Sequence, residues 1–485
     1  MSRLAPVLNV LARVVMLFSL TMLIPLALSW LADDGAQRAY DEAILITFAA
    51  GAAIWAVTRR ARRELQTRDG FLLVFLAWTG LPAFATLPLL IYLPDLSFTD
   101  AYFETVSGIT TTGASVLSGL DTLPMSINLW RGLLVWFGGM GLIVLAVAIL
   151  PLLGVGGMQM YKAETPGPMK DTKLTPRITE TAKGLYLIYV GISVACVLTY
   201  WLAGMTPFDA VMHTFSTMGL GGFSSHDASY GYWNSPLIEG VTVLFMLVAG
   251  INFSTHFLAW RQRSIGAYRV DPEVRWFLLL TLGSAVLIAV YLRVVGTYPD
   301  FLQSLRYALF NTVSIATTTG FASTDFNLWP VFAPLYMLFL SSFASCSGST
   351  GGGMKMVRAQ LLFRQGRREL ARLVHPSARL PVKLAGQVVP NNVIYAVLAF
   401  AFLYVSLIIV MTLLMTASGL DFITAFTAVV ASINNTGPGL NQVGPATTFA
   451  VLTDFQTWIC TIAMLLGRLE LLTVLVVFTR TFWRA

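Results

Sequence analysis

The chain has 485 residues, of which 56% are hydrophobic and only 11% are charged. A soluble domain usually carries about 25% charged residues, so the composition argues against a soluble protein. Apolar runs of membrane-spanning length recur from end to end, which identifies the lipid bilayer as the solvent. The formal net charge of +7 would by itself fit a nucleic-acid partner, but the distribution of the basic residues indicates otherwise.

Ten segments are predicted to cross the membrane. Their order places most of the 31 basic residues in loops on one side. The positive-inside rule makes that side cytoplasmic, with both termini inside. The basic clusters are therefore topology signals, and no nucleic-acid partner is expected. The predicted spans are 14–32, 43–58, 71–93, 128–153, 184–204, 236–260, 276–295, 331–345, 389–417 and 455–479.

Four segments between these spans align with one another without gaps. Each contains an anchoring glycine, an alanine twelve residues before it and a small residue six residues before it. Long apolar spans flank every segment. The segments are DAYFETVSGITTTGAS from Asp100, DAVMHTFSTMGLGGFS from Asp209, YALFNTVSIATTTGFA from Tyr307 and TAFTAVVASINNTGPG from Thr424.

Each repeated segment predicts a helix of about 8–10 residues, too short to cross the bilayer, that leads into a polar strand. Non-helical backbone at membrane depth is tolerated only where protein buries it or water reaches it. Four re-entrant loops satisfy this condition together by facing one aqueous axis. Ordinary extracellular loops rich in Thr and Gly are the alternative, which the fourfold repetition disfavours.

The predicted fold class is an all-α integral membrane protein with ten transmembrane helices. Four pseudo-fourfold helix–pore-loop–helix repeats follow an N-terminal helical hairpin. The third repeat also carries a glycine-rich candidate gating loop. The predicted boundaries are 1–68 for the accessory hairpin and 69–162, 163–262, 263–382 and 383–485 for the four pore repeats.

The polar end of each loop has the chemistry of a cation filter. A dehydrating cation needs several oxygens at close range, and rings of backbone carbonyls supply them in potassium channels. Glycine tolerates the dihedral angles that inward-facing carbonyls require, Thr and Ser add hydroxyl acceptors, and the short helices point negative C-terminal ends at the ion. The predicted filter rows are Thr110, Thr111, Thr112, Gly113; Gly219, Leu220, Gly221, Gly222; Thr317, Thr318, Thr319, Gly320; and Asn434, Asn435, Thr436, Gly437.

Five acidic residues are placed on the outer side of the same loops. Carboxylates there would raise the local cation concentration. Helix capping or solvation in a loop explains each of them equally well, so both interpretations stay open. These residues are Asp95, Asp100, Asp227, Asp325 and Asp454.

The eighth predicted span is interrupted by the string ASCSGSTGGGMK at 344–355. So many glycines cannot continue a stable helix, and a flexible break beneath the third filter loop could move aside to open the pore. A tight helix-packing patch or a kink without a gating role would also explain the composition. The order GxxxxGKS/T of a phosphate-binding loop is absent. The candidate gating residues are Gly348, Gly351, Gly352 and Gly353.

Arg468 lies near the middle of the last predicted span, where an arginine is strongly unfavourable. We expect its side chain to face the aqueous axis below the filter, where a positive charge would impede cations. A buried structural pair with Glu470 or another carboxylate is the alternative. Residues two apart lie on different faces of a helix, so Glu470 is a poor partner on geometry alone.

In this four-repeat arrangement the chain resembles the Trk/Ktr/HKT superfamily of potassium transporters, and within it the TrkH-type bacterial subunit. The resemblance covers essentially the whole chain. It implies that 348–353 belong to an intramembrane gating loop and that Arg468 forms a barrier near it. It also implies a membrane homodimer, with one pore in each protomer, and a cytoplasmic nucleotide-binding TrkA-like subunit that gates the pore. The matching strings include GMTPFDA from Gly204, GGFSSHDAS from Gly221, GSTGGGMK from Gly348 and NNTGPG from Asn434.

The sequence therefore predicts a gated potassium-uptake channel or transporter of the bacterial inner membrane, surrounded by lipid. K+ is the transported ion, and no bound organic cofactor is expected. Gly113 favours K+, because a serine there marks some sodium-carrying plant relatives. Proton- or sodium-coupled symport is the alternative and would need a titratable group inside the membrane, for which Glu104, His213 and Glu239 are candidates. An enzyme is disfavoured, because the sequence shows no nucleophile triad, metal-ligand spacing or cofactor loop.

Overall fold

The computed structural model describes residues 4–60, 66–144 and 178–484, and these residues are almost entirely helical. The end of the fourth predicted span and the basic loop residues up to position 177 lie outside the described residues. The sheet found in the described part of the chain is a two-stranded antiparallel hairpin, β1 (Lys383–Leu384) with β2 (Gln387–Val388).

The helices follow the order of the apolar segments, with single turns of 3-10 helix in several of the loops. The α-helices are α1 (Ala5–Thr21), α2 (Leu23–Ala32), α3 (Gln37–Thr58), α4 (Thr67–Ala85), α5 (Leu87–Tyr92), α6 (Phe98–Ile109), α7 (Met125–Val144), α8 (Ile178–Leu202), α9 (Pro207–Gly219), α10 (Pro236–Ala249), α11 (Phe253–Gln262), α12 (Gly266–Val270), α13 (Pro272–Val294), α14 (Phe301–Ala316), α15 (Phe332–Ser341), α16 (Met356–Val374), α17 (Asn391–Ala417), α18 (Phe422–Ile433), α19 (Asp454–Arg468), α20 (Leu471–Leu475) and α21 (Arg480–Trp483). The 3-10 turns are Leu120–Thr122, Ser229–Gly231, Phe326–Leu328, Asn441–Val443, Phe449–Val451 and Val476–Phe478.

Among the described residues, six helices are long and apolar enough to cross a membrane, and two bent helix pairs pass the same test as broken spans. Large apolar side chains such as Leu31, Leu202 and Phe402 are exposed on these helices, as a lipid-facing surface requires. The chain is therefore a multi-pass membrane protein. The count of ten crossings stays a prediction, because α15 has only 10 residues and the fourth predicted span is described only in part.

Two predicted spans are bent instead of straight. The span predicted at 236–260 turns by 91° between α10 and α11, where Gly250 ends one helix and the Asn252 side chain caps the next. The span predicted at 455–479 turns by 109° between α19 and α20, where Glu470 has a φ of +62°. Hydropathy alone does not locate these bends, because a capping side chain or a left-handed residue ends a helix whatever its hydropathy.

Each re-entrant loop begins with a capped short helix, which we call a pore helix. The side chains of Ser97, Thr206, Asp300 and Asp421 accept backbone N–H groups at the starts of α6, α9, α14 and α18. A cap of this kind contributes about 1 kcal/mol. The pore helices have 12, 13, 16 and 12 residues. They are longer than predicted, because each begins at its cap, ahead of the aligned segment.

Apolar clusters join each repeat to the next around a closed circuit. Repeats 1 and 2 share a cluster of Val135 with Met212 and Phe223. Repeats 2 and 3, repeats 3 and 4, and repeats 4 and 1 share further clusters. The last contact, between the first and last repeats, matters most because it brings the two ends of the sequence pattern side by side. Representative pairs are Tyr230 with Phe310, Ala322 with Leu440, and Phe103 with Phe449.

The N-terminal hairpin packs on the outside of repeat 1. Helices α1 and α3 are in close contact where Gly51 faces Met16, and a Cβ atom at position 51 would lie 2.7 Å from the Met16 side chain. The Tyr40 hydroxyl donates to the main-chain oxygen of Ser126 at 2.9 Å. The Asp34 carboxylate accepts the Ser126 N–H at 2.9 Å. The hairpin is thus fixed to the start of α7.

A buried ion pair connects the first two pore loops. Arg131 Nε donates to Glu104 Oε1 at 2.8 Å, and both side chains are 1% exposed. Glu104 also accepts the Ser115 hydroxyl and the Val116 N–H, both at 3.0 Å. Arg131 donates to the main-chain oxygen of Ser224 at 3.1 Å. The pair therefore anchors the loop after α6 to the loop after α9.

We expect Arg131→Leu to lower the free energy of unfolding by about 3–5 kcal/mol, because it leaves the Glu104 carboxylate buried without its cationic partner. Adding Glu104→Leu should recover part of that loss, since the uncompensated charge is then gone. Thermal unfolding of the purified protein in detergent measures both changes. A double variant less stable than Arg131→Leu alone would contradict this account of the pair.

Candidate functional site

All four pore helices end in the same turn. We number the residues of each predicted filter row as positions 1 to 4. In every repeat the N–H of position 3 donates, at 2.8 to 3.0 Å, to the main-chain oxygen of the small residue six positions before the glycine. This is the Schellman motif, in which a helix ends on a left-handed residue. The four bonds run from Thr112 to Ser107, Gly221 to Ser216, Thr319 to Ser314 and Thr436 to Ala431.

The left-handed residue of each turn is position 2, which is never a glycine. Its φ lies between 54° and 62° in all four repeats. A non-glycine residue held in this region stores about 1–3 kcal/mol of strain, which persists only where the surroundings impose it and which clusters at functional sites. The sequence predicts positive φ only for glycine, so this strain has no signal in residue type. The residues are Thr111, Leu220, Thr318 and Asn435.

In the second repeat the pore helix extends one residue further into the predicted row than in the other repeats. Helix α9 runs through Gly219, so only positions 2 to 4 of this row lie beyond the helix. In the other three repeats the helix ends just before position 1, which is its C-cap residue. The assignment of Gly219 to the filter row stays a prediction, and the Schellman bond of this repeat matches those of the other three.

The four anchoring glycines meet around one centre. A Cβ atom added to any of them would collide with the position 3 main-chain oxygen of the next repeat, and the fourth glycine meets the first repeat. Contacts this short essentially never occur for real Cβ atoms, so only glycine fits at position 4. The loops thus form a closed ring. The distance from the added Cβ atom to the main-chain oxygen is 2.0 Å for Gly113 and Gly221, 2.2 Å for Gly222 and Thr319, 2.2 Å for Gly320 and Thr436, and 2.9 Å for Gly437 and Thr112.

Side chains of the rows brace the ring. The hydroxyls of Thr110 and Thr112 bond to each other at 2.7 Å, and those of Thr317 and Thr319 do the same. The Asn435 amide donates to Thr112 Oγ1 at 2.9 Å and links the fourth loop to the first. These hydroxyls are engaged within the protein. The main-chain oxygens are therefore the acceptors that all four repeats offer in common.

The glycine-rich residues 348–355, which we call the inner loop, lie against the start of two rows. A Cβ atom on Gly352 would lie 2.0 Å from the main-chain oxygen of Asn434, and one on Gly351 would lie 3.0 Å from that of Thr317. The Gly352 N–H donates to Thr318 Oγ1 at 2.7 Å. Glycine is required here because the two backbones nearly touch.

The inner loop is also tied to the second repeat. Thr350 Oγ1 donates to the main-chain oxygen of Met218, just before the second row, at 2.9 Å. The main-chain oxygen of Gly348 accepts the Phe253 N–H at 3.0 Å. Gly348 and Gly353 have φ values of +72° and +75°, which glycine adopts without strain. The loop is thus an ordered segment beneath three of the four rows.

Arg468 holds the inner loop from the last helix. Its Nη1 donates to the main-chain oxygen of Thr350 at 2.8 Å and its Nη2 to that of Gly138 at 3.2 Å. The residue is only 3% exposed. Glu470 instead pairs with Arg358, because the bend after Arg468 turns Glu470 away. The alternative of an Arg468–Glu470 pair is therefore wrong.

The acidic residues on the outer side mainly cap backbone groups. Asp100 is bonded to its helix cap, Ser97, at 2.8 Å. Asp227 accepts the Gly119 N–H at 3.0 Å, and Asp325 accepts a backbone N–H at the start of a 3-10 turn. Asp227 and Asp325 therefore accept backbone N–H groups, as the capping interpretation predicts, whereas the Asp100 carboxylate accepts a hydroxyl. Asp227 also lines an open vestibule next to the ring.

The vestibule contains a histidine that bridges the first two loops. His226 Nδ1 lies 2.5 Å from Asp121 Oδ1, and its Nε2 lies 3.4 Å from Asp209 Oδ1. Burial opposes the charged imidazole, but the bonds and charges of Asp209 and Asp121 outweigh it and raise the pKa of His226 above 6.5. The same contact lowers the pKa of Asp121 against the effect of burial. No local sequence pattern indicates the pair of His226 with Asp121, because the two residues are 105 positions apart.

A ring of main-chain oxygens, formed by four re-entrant loops inside a bundle of apolar helices, is the arrangement of a membrane pore protein for ions. The family model for TrkH, described as a cation transport protein, matches residues 37–484. The chain belongs to this family of transport proteins and not to a family of enzymes.

Relatives and a solved structure match this chain over nearly its full length. The Trk system potassium uptake protein TrkH of Halomonas elongata is 48% identical over 480 residues, 99% of each chain. The protein of the same name from Salmonella typhimurium is 47% identical over 477 residues, 98% of each chain. The crystal structure of the potassium transporter TrkH from Vibrio parahaemolyticus superimposes with a TM-score of 0.91 at 44% identity and covers 99% of this chain and 100% of that one.

We expect the His226 bridge to stabilise the protein at acid pH and to fade in alkali. A group whose pKa is raised by folding contributes stability that is complete below its unfolded value of 6.5 and lost as pH rises through the folded value. The difference in melting temperature between the wild type and His226→Gln should therefore shrink as pH rises. Thermal unfolding in detergent across this range measures it, and a difference that does not change with pH would contradict the assignment.

Proposed function

We propose that the protein is a gated K+-uptake pathway in which the ion passes through the ring formed by the four loops. The observation that carries the proposal is the closed series of glycine-to-carbonyl approaches around the ring. The relatives named as potassium uptake proteins of Trk systems support K+ as the cargo. K+ is the transported substrate here and not a resident cofactor.

The four filter rows hold the ion. The position 3 oxygens converge because each lies against the neighbouring glycine, and such oxygens can replace part of the hydration shell of the cation. The pore helices end at the rows, so their negative C-terminal ends favour a positive charge there. The uncharged filter lets the ion leave again. The oxygens concerned belong to Thr112, Gly221, Thr319 and Thr436.

The inner loop is the gate, and Arg468 holds it in the closed position. The loop lies beneath the rows of the second, third and fourth repeats, where it would obstruct an ion that leaves the ring. Arg468 joins the loop to Gly138 on α7 through main-chain oxygens. Its charge also repels a cation that arrives from the filter. Opening therefore requires the loop and the guanidinium to move apart.

The hydrogen bonds and ion pairs of the candidate titratable groups favour conduction over coupled symport. Glu104 is paired with Arg131, and Glu239 is held by two bonds from Arg306 at 2.6 and 2.9 Å. His213 is bonded through both ring nitrogens, to Asp209 and Ser224. All three groups serve as structural contacts, which disfavours a role as proton carriers.

The protein acts in a larger assembly. We assign it to the bacterial inner membrane with both termini in the cytoplasm, because basic residues follow the inner ends of the spans. The relatives are potassium uptake proteins of Trk systems, and the term system agrees with partner subunits. A homodimer and a cytoplasmic nucleotide-binding subunit of the TrkA type are the proposed partners, the latter docked on the basic segments 155–183 and 355–385, of which the second includes α16.

Purified protein in liposomes tests the proposal. Uptake of K+ or its congener Rb+ down its own gradient, with no gradient of protons or Na+, is the expected result. Flux that strictly requires a proton or Na+ gradient would establish symport instead. Absence of cation flux under both conditions, from protein shown to be folded, would refute transport by this chain on its own.

Gly113→Ser should reduce the preference for K+ over Na+ several-fold. The added Cβ would lie 2.0 Å from the Gly221 oxygen, so the position 3 ring must widen or tilt. Ion-substitution recordings measure the permeability ratio. Gly296→Ser is the matched control, because Gly296 also has a positive φ but no atom near its Cβ position. An unchanged ratio in Gly113→Ser would exclude Gly113 from the filter.

Arg468→Ala should raise K+ flux about tenfold, the factor that corresponds to a barrier lower by about 1.4 kcal/mol. The substitution removes both the positive charge below the ring and the bonds that hold the loop. Arg293→Ala serves as the control, because Arg293 is exposed at the end of α13. Flux equal to that of the wild type would remove Arg468 from the ion path.

A further inference from the structure

One buried carboxyl group holds both flanks of the inner loop. Glu273 Oε2 accepts the Ser347 N–H at 2.9 Å and the Val357 N–H at 3.2 Å. Ser347 directly precedes the loop, and Val357 lies in the first turn of α16 that follows it. A single oxygen atom therefore fixes the entry and the exit of the loop relative to each other.

The position of Glu273 suits this contact. It stands in the first turn of α13, and its own N–H is accepted by the Asp271 side chain at 2.9 Å. Helix α16 begins after Lys355, whose side chain supplies no cap. Glu273 provides the missing acceptor from another helix, where the positive end of the α16 dipole also favours it. The residue is 1% exposed, so water does not compete for these bonds.

The inner loop requires such a restraint because its exit is strained. Lys355 has a φ of +76°, a conformation that a residue with a side chain adopts only when its surroundings impose it. Its ammonium group donates back to the main-chain oxygen of Gly351 and interacts electrostatically with Glu273. Release of Val357 from Glu273 would allow this strained turn to relax.

We propose that Glu273 is the positioning residue that keeps the inner loop seated beneath the filter, an inference that rests on the proposed function of that loop as the gate. When the loop moves aside, Ser347 and Val357 change their separation, and the two bonds to one oxygen break together. Glu273 thus stabilises the closed state and makes no contribution to the filter. It is distinct from Arg468, which holds the middle of the loop from the opposite helix.

Substitution of Glu273 in the full-length protein tests the proposal by flux. Glu273→Ala removes the acceptor and should raise K+ leak into liposomes about tenfold, the scale expected for two lost hydrogen bonds, with an unchanged K+/Na+ permeability ratio. Glu273→Gln keeps an acceptor oxygen at the same reach and should restore closure. Asp271→Ala is the matched control, because it removes a cap from the same helix but bonds to Thr255 and not to the loop.

A second readout does not depend on ion flux. Cys346 directly precedes Ser347, one of the two residues that Glu273 holds, and it is completely buried. A membrane-permeant maleimide should therefore label it slowly. In protein with Cys196 and Cys460 replaced by Ala, Glu273→Ala should accelerate labelling of Cys346 about tenfold, the same scale of lost hydrogen bonding. Faster labelling in a protein that shows no cation flux would support the role of Glu273 in holding the inner loop and would refute the proposed function.

The result that overturns the inference is a folded Glu273→Ala protein with the leak and the labelling rate of the wild type. An equal effect of Asp271→Ala on both readouts would also overturn it, because a general weakening of α13 would then suffice. Should Glu273→Ala fail to fold, Glu273→Asp decides the question. The aspartate side chain is one methylene shorter and cannot reach both donors, so K+ leak and the labelling rate should rise. Wild-type values of both would reject the proposed role of Glu273.

Discussion

The close approach of four backbone loops at one centre is the constraint on which the rest of this structure depends. Each anchoring glycine lies where any side chain would strike the oxygen of its neighbour. That packing brings four oxygens together, and the residue two positions before each glycine is held in a left-handed conformation. The strain is held by capped helices, by repeated Schellman turns and by ties between loops such as Arg131 with Glu104.

The two sides of the ring are built from different contacts. On the vestibule side, titratable side chains such as Asp121 and His226 join the loops, and such contacts respond to pH and salt. On the other side, Arg468 and Glu273 contact main-chain groups of the inner loop. These contacts hold the inner loop by its main chain, so they do not depend on the side chains of the loop residues.

Three arginines join separate elements of the fold. Arg131, Arg306 and Arg468 each hold two elements together. Only Arg468 lies beneath the ring and against the inner loop, so it alone of the three is placed to act on a passing cation. Position relative to the ring thus distinguishes Arg468 from the other two arginines.

The sequence by itself determined the membrane class, the four repeated loops and the glycine at Gly113 and its counterparts. Hydropathy and internal repeats can be read from the order of the residues without knowledge of the fold. Membership of the TrkH family agrees with that interpretation. Only the tertiary structure decided where helices bend, that Leu220 and its equivalents are left-handed, and which groups pair with Arg468 and Glu273. Those features depend on contacts between residues far apart in sequence, for which no local pattern exists.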